Sequence, residues 1–288
     1  MSQAVVKLNE GVSGEGNALV DLANLESDSA DQLRQRVRAM RFEKPTIRFA
    51  DYAAKFRQYG GVVEERVGVG AAEIRSPSVQ LRVTPLGEVE LLSTHDQMLG
   101  GPSGQSYLGC IFPADQAYAT AITRDAAKVG NLLRDAGVIG RFALDFVVTR
   151  AEENANWETF AIEINLRKGG TTHPFLTLQF LTGGKYDPEA ATFTAPNGQA
   201  KFLVASDHVE SPTFRGFTVD DLFDLVVRRG LHFGQTRQTG VVFHMLSALG
   251  SQGRLGLTAV GNSLEEAREL FDHAQAVLNE EARFDEIS

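Results

Sequence analysis

The sequence predicts an α+β fold in which largely antiparallel sheets pack against helices. Two strand-like segments, 78–84 and 89–93, flank the turn-forming residues 85–88 and predict a β-hairpin. A second pair of strand-like segments, 141–149 and 159–166, is joined by a short polar loop. Because short connections join antiparallel neighbours, both pairs indicate antiparallel sheet.

The remaining elements follow from apolar spacing and turn residues. In the first part of the chain we predict a strand over 4–8, a glycine-rich loop over 9–17, helices over 28–40 and 49–59, and a strand over 62–67. Further along we predict helices over 114–136 and 174–182 and a turn-rich stretch over 184–199. The tail is predicted to contain strands over 240–246 and 255–260, a helix over 218–229, and a last helix that Ser263 and Glu266 begin with a capping box.

Composition excludes several classes of protein. The chain has 288 residues, 43% of them hydrophobic, which is enough for a packed core. Its net charge of −9 argues against a nucleic-acid partner, since such proteins usually carry a basic face. The one cysteine, Cys110, cannot form an intrachain disulfide, so we expect a reducing, cytoplasmic compartment. No apolar run approaches the ~20 residues of a membrane span, and no membrane partner is expected.

The most informative pattern is a row of polar side chains on the strand at 159–166. Glu163, Asn165 and Arg167 are spaced by two, so they share one face, while Ile162, Ile164 and Leu166 are predicted to face the core. Pairing with the strand at 141–149 brings Asp145 beside Glu163 and Asn165. Two carboxylates and an amide oxygen are ligands suited to Mg²⁺. The alternative is a solvated strand face with ordinary charges. Repulsion between the two carboxylates disfavours this alternative, because their clustering is favourable only when a cation offsets their charge.

Two weaker patterns precede this one. Lys7 is followed by the loop NEGVSGEGN, in which Gly11, Gly14 and Gly16 would let backbone amides approach an oxyanion. Taken alone, a plain surface turn is at least as good an interpretation. The strand-like VVEERV contains Glu64 and Glu65, which suit adenine and ribose recognition at a hinge or, more simply, a charged surface strand.

The order of these motifs resembles the ATP-grasp superfamily. The segments VVKLNEGVSGEGN and EINLRKGGTTHPF are similar to the pheganomycin-type peptide ligase family, and the resemblance covers residues 5–182. The tail, with GVVFHMLSALG and GLTAVG, resembles the C-terminal region of that family. In that family, an N-terminal domain and a strand that carries a lysine precede the segments quoted above. The resemblance therefore implies that this N-terminal domain is missing and would act as a partner.

The resemblance implies three subdomains and a set of site residues. Residues 1–66 would form a partial lid subdomain with the glycine-rich loop, 67–199 the catalytic subdomain, and 200–288 a C-terminal α+β extension. Contacts with ATP are implied for Lys7, for Gly11, Ser13, Gly14, Glu15, Gly16 and Asn17 of the loop, for Glu64 and Glu65 at the adenine and ribose, and for Gln80, where relatives often have a glutamate. Magnesium ligands are implied at Asp145, Glu163 and Asn165, and catalytic contacts at Arg167.

The implied activity is ATP-dependent ligation of a small-molecule or peptide carboxylate to an amine, with Mg²⁺ and an acyl-phosphate intermediate. His95 and His173 flank the predicted site strands and could face substrate, and we assign His173 a catalytic role against the alternative of an inert loop histidine. His244 is interpreted as a satisfied core residue. Two alternatives to ligation stay open, a kinase or carboxylase-type half-reaction, and a nucleotide-binding module or half of a split enzyme that needs a partner subunit.

Overall fold

The structure is a computed structural model that describes residues 1–11, 14, 16–25, 29–101 and 104–285, with side chains up to residue 282. It divides into two compact units. The first unit consists of Met1–Ile74, Met98–Tyr107 and Val147–Phe160. The second unit consists of Arg75–Gln97, Leu108–Phe146 and Ala161–Ser288.

Fifteen strands and seven α-helices make up the described chain. The strands are β1 Gln3–Leu8, β2 Asn17–Asp21, β3 Arg41–Phe42, β4 Gly61–Glu65, β5 Glu73–Arg75, β6 Pro77–Val83, β7 Val89–Gly100, β8 Ser106–Phe112, β9 Gly140–Arg150, β10 Glu158–Asn165, β11 Lys185–Asp187, β12 Thr192–Thr194, β13 Phe202–Glu210, β14 Gly240–His244 and β15 Arg254–Gly261. The helices are α1 Ala30–Arg38, α2 Phe49–Tyr59, α3 Gln116–Asp135, α4 Thr172–Thr182, α5 Val219–Arg228, α6 Leu249–Gln252 and α7 Leu264–Asp285.

The first unit contains a four-stranded antiparallel sheet in the order β3-β2-β1-β4. Alternating side chains of β1 and β2 form a small core with Tyr52 of α2. The Tyr52 hydroxyl contacts the carbonyl oxygens of Val6 at 3.0 Å and Gly16 at 2.9 Å. Tyr52 therefore ties the end of the glycine-rich loop to the neighbouring strand.

A nine-stranded sheet has the order β10-β9-β6-β7-β8-β13-β15-β14, with β5 paired to β9. On one face of its centre, Leu81, Phe142 and Leu144 are fully buried. Helix α3 packs on this face, and a Cβ at Gly130 would lie only 2.9 Å from the Val89 side chain. The apolar residues alternate with polar ones, so the opposite face of the same strands carries the candidate site.

The C-terminal part is built on β13, β15 and β14, against which α7 packs. Ser263 Oγ accepts a hydrogen bond from Glu266 N at 3.1 Å, as the predicted capping box requires. The Glu266 carboxylate accepts from Asn262 N at 2.7 Å rather than from the backbone of Ser263. The backbone donor to Glu266 is therefore Asn262, one residue before Ser263, the donor that a capping box predicts.

The α+β class and its largely antiparallel sheets are confirmed, and helix α2 occupies the predicted range. Strands β2 and β8 were not predicted, and the turn-rich stretch contains the hairpin of β11 and β12. The prediction of a core face on β10 is wrong, since Ile164 is 50% and Leu166 59% exposed. The physical reason is that β10 is the edge strand of its sheet. Among the described residues, no helix has the length and apolar character needed to cross a membrane.

Candidate functional site

The polar face of the large sheet centres on Asp145 of β9. Asn165 of β10 donates a hydrogen bond from Nδ2 to Asp145 Oδ2 at 2.9 Å. Ser78 of β6, the register partner of Asp145, provides a second side-chain hydrogen bond to this carboxylate. Asp145 and Asn165 therefore meet across neighbouring strands, as the two-residue alternation predicted, and Ser78 joins them from the third strand.

The electrostatics of this face set the charge of Asp145. The pKa of Asp145 is raised to about 6, chiefly by burial and in part by the nearby carboxylate of Glu163. The hydrogen bonds from Ser78 and Asn165 and the charge of Arg167 act in the opposite direction. The ionised carboxylate is thus costly in this place, and a bound cation would lower that cost.

The donor set fits a hard divalent cation. It offers the carboxylates of Asp145 and Glu163 and, because Asn165 uses its nitrogen toward Asp145, the free amide oxygen of Asn165. Glu163 is exposed, which leaves its oxygens accessible to a cation. Among the described residues, no group of three or more His, Cys, Asp or Glu side chains could hold a metal, so a site here depends on the mixed set.

Arg167 lies just after β10 and is exposed. Its guanidinium is close enough to Asp145 to lower the pKa of that carboxylate, and Nη1 donates to the Lys168 carbonyl at 3.3 Å. A planar guanidinium beside a metal-binding face suits a phosphate or carboxylate. The catalytic role of Arg167 stays a prediction.

Gln80 is buried on the same face, two residues along β6 from Ser78. Thr172 Oγ1 donates to Gln80 Oε1 at 2.9 Å, and Gln80 Nε2 donates to Thr171 Oγ1. Gly169 N donates to Thr172 Oγ1 at 3.1 Å. These bonds fix the start of α4 above the sheet, and the predicted contact of Gln80 with nucleotide stays a prediction.

His95 of β7 does not face substrate, contrary to the expectation. Its side chain is fully buried between Phe112 and Phe175, and Nε2 lies 2.9 Å from Ser93 Oγ. Burial lowers the pKa of His95 to about 3, and its Nδ1 has no hydrogen-bond partner among the described residues. The ring is therefore neutral in the folded chain.

This burial predicts a loss of stability in mild acid. His95 binds a proton below about pH 6.5 in the unfolded chain, but only near pH 3 in the folded chain. Its contribution to the stability of the folded state is therefore full above pH 6.5 and falls as the pH decreases. When the pH is lowered from 7 to 5.5, we expect the free energy of unfolding, measured with urea, to decrease by about 1 kcal/mol more for the wild type than for His95→Gln. The raised pKa of Asp145 has the opposite effect on the pH dependence of stability. Because Asp145 is present in both proteins, this effect cancels in the comparison. Equal losses would contradict the assignment.

His173 lies on the first turn of α4 and is exposed. Its ring faces that of His244 on β14, with centroids 4.4 Å apart. His244 is half-buried and its Nδ1 is without a hydrogen-bond partner in the described part of the chain. The interpretation of His244 as a satisfied core residue is therefore wrong, because β14 is an edge strand and the ring lies at its exposed end.

In the first unit, Lys7 forms an ion pair with Glu64 of the VVEERV segment. Lys7 Nζ lies 2.6 Å from Glu64 Oε2. The pair is diagonal across antiparallel strands β1 and β4, since Val5 is the register partner of Glu64. Glu65 is exposed and lies 3.9 Å from the terminal amine of Met1. The nucleotide contacts assigned to Lys7, Glu64 and Glu65 stay predictions.

The ends of the glycine-rich loop are closely packed. Gly14 has a φ of 82°, and a Cβ there would lie 2.7 Å from the Gln105 carbonyl oxygen, so glycine is required. Gly11 and Gly16 lie against each other, with a Cβ on Gly16 only 2.8 Å from the Gly11 Cα. Asn17 Nδ2 donates to Gln105 Oε1 at 2.6 Å. The predicted contacts of Ser13 and Glu15 lie outside the described residues.

Comparison with known proteins identifies related chains. A family model described as "IQCH-like, ATP-grasp" matches residues 32–189, and one described as "PGM1 C-terminal domain" matches residues 221–273. The L-propargylglycine–L-glutamate ligase of Streptantibioticus cattleyicolor is 31% identical over 229 residues, which cover 79% of this chain and 45% of the ligase. The chain thus spans less than half the length of this curated relative.

Solved structures share the architecture. An N5-carboxyaminoimidazole synthetase from Staphylococcus aureus, complexed with ADP, has a TM-score of 0.55 at 11% identity, covering 95% of this chain and 61% of that one. The biotin carboxylase domain of the Hydrogenobacter thermophilus 2-oxoglutarate carboxylase, complexed with MgADP, has a TM-score of 0.55 at 15% identity, covering 92% of this chain and 54% of that one. At such low identity the likeness shows the fold alone.

Proposed function

This chain belongs to the IQCH-like ATP-grasp family, and from that membership we propose that it is an ATP-dependent ligase that joins a carboxylate to an amine. The observation that carries the proposal is the oxygen-rich face formed by Asp145, Glu163 and Asn165. Its buried, ionisable carboxylate has a raised pKa, and such groups cluster at functional sites.

Asp145, Glu163 and Asn165 would hold Mg²⁺. When bound, the ion would neutralise phosphate charge during transfer of the γ-phosphate to the substrate carboxylate. Arg167 would bind the oxygens of the resulting acyl phosphate with its planar fork and stabilise the charge that develops there. Lys7 would donate to a phosphate oxygen, for which it must exchange its ion pair with Glu64.

The substrates we propose are amino-acid-like. The relative with 31% identity is named as a ligase of L-propargylglycine and L-glutamate. The match at 221–273 lies within the C-terminal extension, and we propose that this extension contributes to the same activity. The carboxylate would be activated as an acyl phosphate, which the amine then attacks with release of orthophosphate. A further proposal is that an N-terminal domain acts as a partner of this chain.

The proposal is tested by measuring ADP and orthophosphate release from MgATP with pairs drawn from amino acids and dipeptides. We expect release of both products that requires the carboxylate and the amine together. A phosphotransferase would release ADP without orthophosphate, and a nucleotide-binding module would bind MgATP without releasing either. The assay is run with and without the part of the relative that this chain does not cover, added as a separate protein. Absence of pair-dependent release in both settings would contradict the ligase proposal.

A further inference from the structure

The histidine pair of the second unit is connected to the oxygen-rich face through the start of α4. His173 follows Thr172 directly, and Thr172 donates to Gln80 on β6. Gln80 is two residues from Ser78, which bonds Asp145. The hydrogen bond of Thr172 therefore places the backbone of His173 beside the strand that carries Ser78, and the His173 imidazole is exposed to solvent.

The ring of His244, on β14, packs against the ring of His173. The ring of His244 lies over Gly256, its register partner on β15, and a Cβ at residue 256 would overlap the ring. The centroids of the two imidazoles are 4.4 Å apart, with their planes inclined by 39°. Since Nδ1 of His244 is buried and has no hydrogen-bond partner among the described residues, this ring has a nitrogen that the fold does not use.

The surroundings of His244 disfavour its charged form. Asp207 of β13 is engaged by His208, whose Nδ1 lies 2.7 Å from Oδ1, and by Arg254 of β15, whose Nη2 lies 3.7 Å from Oδ2. The pKa of His244 is lowered to about 4 by burial and by His173, against a raising effect of Asp207. His244 is thus neutral near pH 7.

We propose that His173 is the catalytic residue that accepts a proton from the incoming primary ammonium substrate, and that His244 is its positioning residue. This inference rests on the ligase activity proposed above. A nitrogen of the His173 imidazole takes one proton from R–NH₃⁺, and the lone pair thus freed attacks the carbonyl carbon of the acyl phosphate. The C–N bond forms, the C–O bond to phosphate breaks, phosphate leaves with that electron pair, and the second amine proton passes to phosphate or water.

The test separates carboxylate activation from amine coupling. Hydroxylamine, which is unprotonated at neutral pH, captures acyl phosphates as hydroxamates and needs no base. A panel of amino acids serves as carboxylate donors, with either hydroxylamine or amino acid amides as the nucleophile. In His173→Asn and His244→Gln we expect hydroxamate formation at the wild-type rate. Coupling to amides should fall about tenfold at pH 7, and recover to within about twofold of wild type at pH 9, where the amine loses its proton to solvent.

His273→Gln, an exposed histidine on α7, is the matched control and should leave both reactions unchanged. Amide coupling by the His173 variant equal to wild type at pH 7, or a loss that persists unchanged at pH 9, would overturn the proton-transfer role. Absence of hydroxamate in the wild type would instead count against the ligase activity itself.

Discussion

Replacement of Asp145 by Asn together with Glu163 by Gln should abolish tight binding of Mg-ATP. Both substitutions keep the shape of the side chain and remove the negative charge that a divalent cation requires. We expect the dissociation constant measured by calorimetry to rise at least about 100-fold, which corresponds to about 2.7 kcal/mol. Because burial makes the ionised Asp145 costly, its neutral replacement should fold as stably as the wild type.

The matched control is Glu152→Gln with Glu153→Gln, which removes the same two charges from exposed positions of the β9–β10 connection. This control should bind Mg-ATP within about twofold of wild type. Unfolding by urea checks that the Asp145 and Glu163 variant is intact. A variant that is folded and still binds Mg-ATP as tightly as the wild type would remove the basis for the metal assignment.

Replacement of Lys201 by Met should destabilise the chain by about 2 kcal/mol. Lys201 is fully buried, and its Nζ donates to Asn262 Oδ1 at 2.6 Å and to the carbonyl oxygens of Gln238 at 3.1 Å and Arg237 at 3.2 Å. Methionine fills a similar volume but removes the ammonium that donates to these three oxygens. The loss should appear in the free energy of unfolding measured with urea.

Lys185→Met provides the control, since Lys185 is an exposed residue of β11 and its replacement should change the free energy of unfolding by less than about 0.5 kcal/mol. A Lys201 variant within about 1 kcal/mol of wild type would mean that the buried ammonium is not required for the packing of this part of the chain. The Lys201 side chain lies beside Asn262, directly before the cap of α7. The variant should therefore also lose hydrogen-exchange protection first at the start of α7.

Sequence patterns predicted those parts of the site that depend on local alternation. The resemblance to the ATP-grasp superfamily is confirmed by the family match, and Asp145 and Asn165 were placed together because two strands joined by a short loop pair with their polar faces aligned. Ser78 was missed as a partner of Asp145. Its strand, β6, is distant in sequence from β9, and their register is set by the whole sheet rather than by either strand.

Long-range contacts account for the other differences. Three of the four oxygens that accept from Lys201 come from residues 36, 37 and 61 positions away in the chain, and only the weakest contact, to Gln199 at 3.5 Å, is local. His244 lies in an apolar strand and was assigned to the core, but the strand is at the sheet edge and faces α4. Ile164 of β10 and Leu166 just after it alternate as core residues do, yet β10 has a neighbour on one side only.

The most direct measurement is a crystal structure of the chain with Mn²⁺ in place of Mg²⁺ and a non-hydrolysable ATP analogue, in which anomalous scattering locates the metal. We expect a metal peak about 2.0–2.3 Å from carboxylate oxygens of both Asp145 and Glu163, with phosphate oxygens completing its shell. A nucleotide-bound metal that contacts neither carboxylate would contradict the proposed site and the reaction built on it.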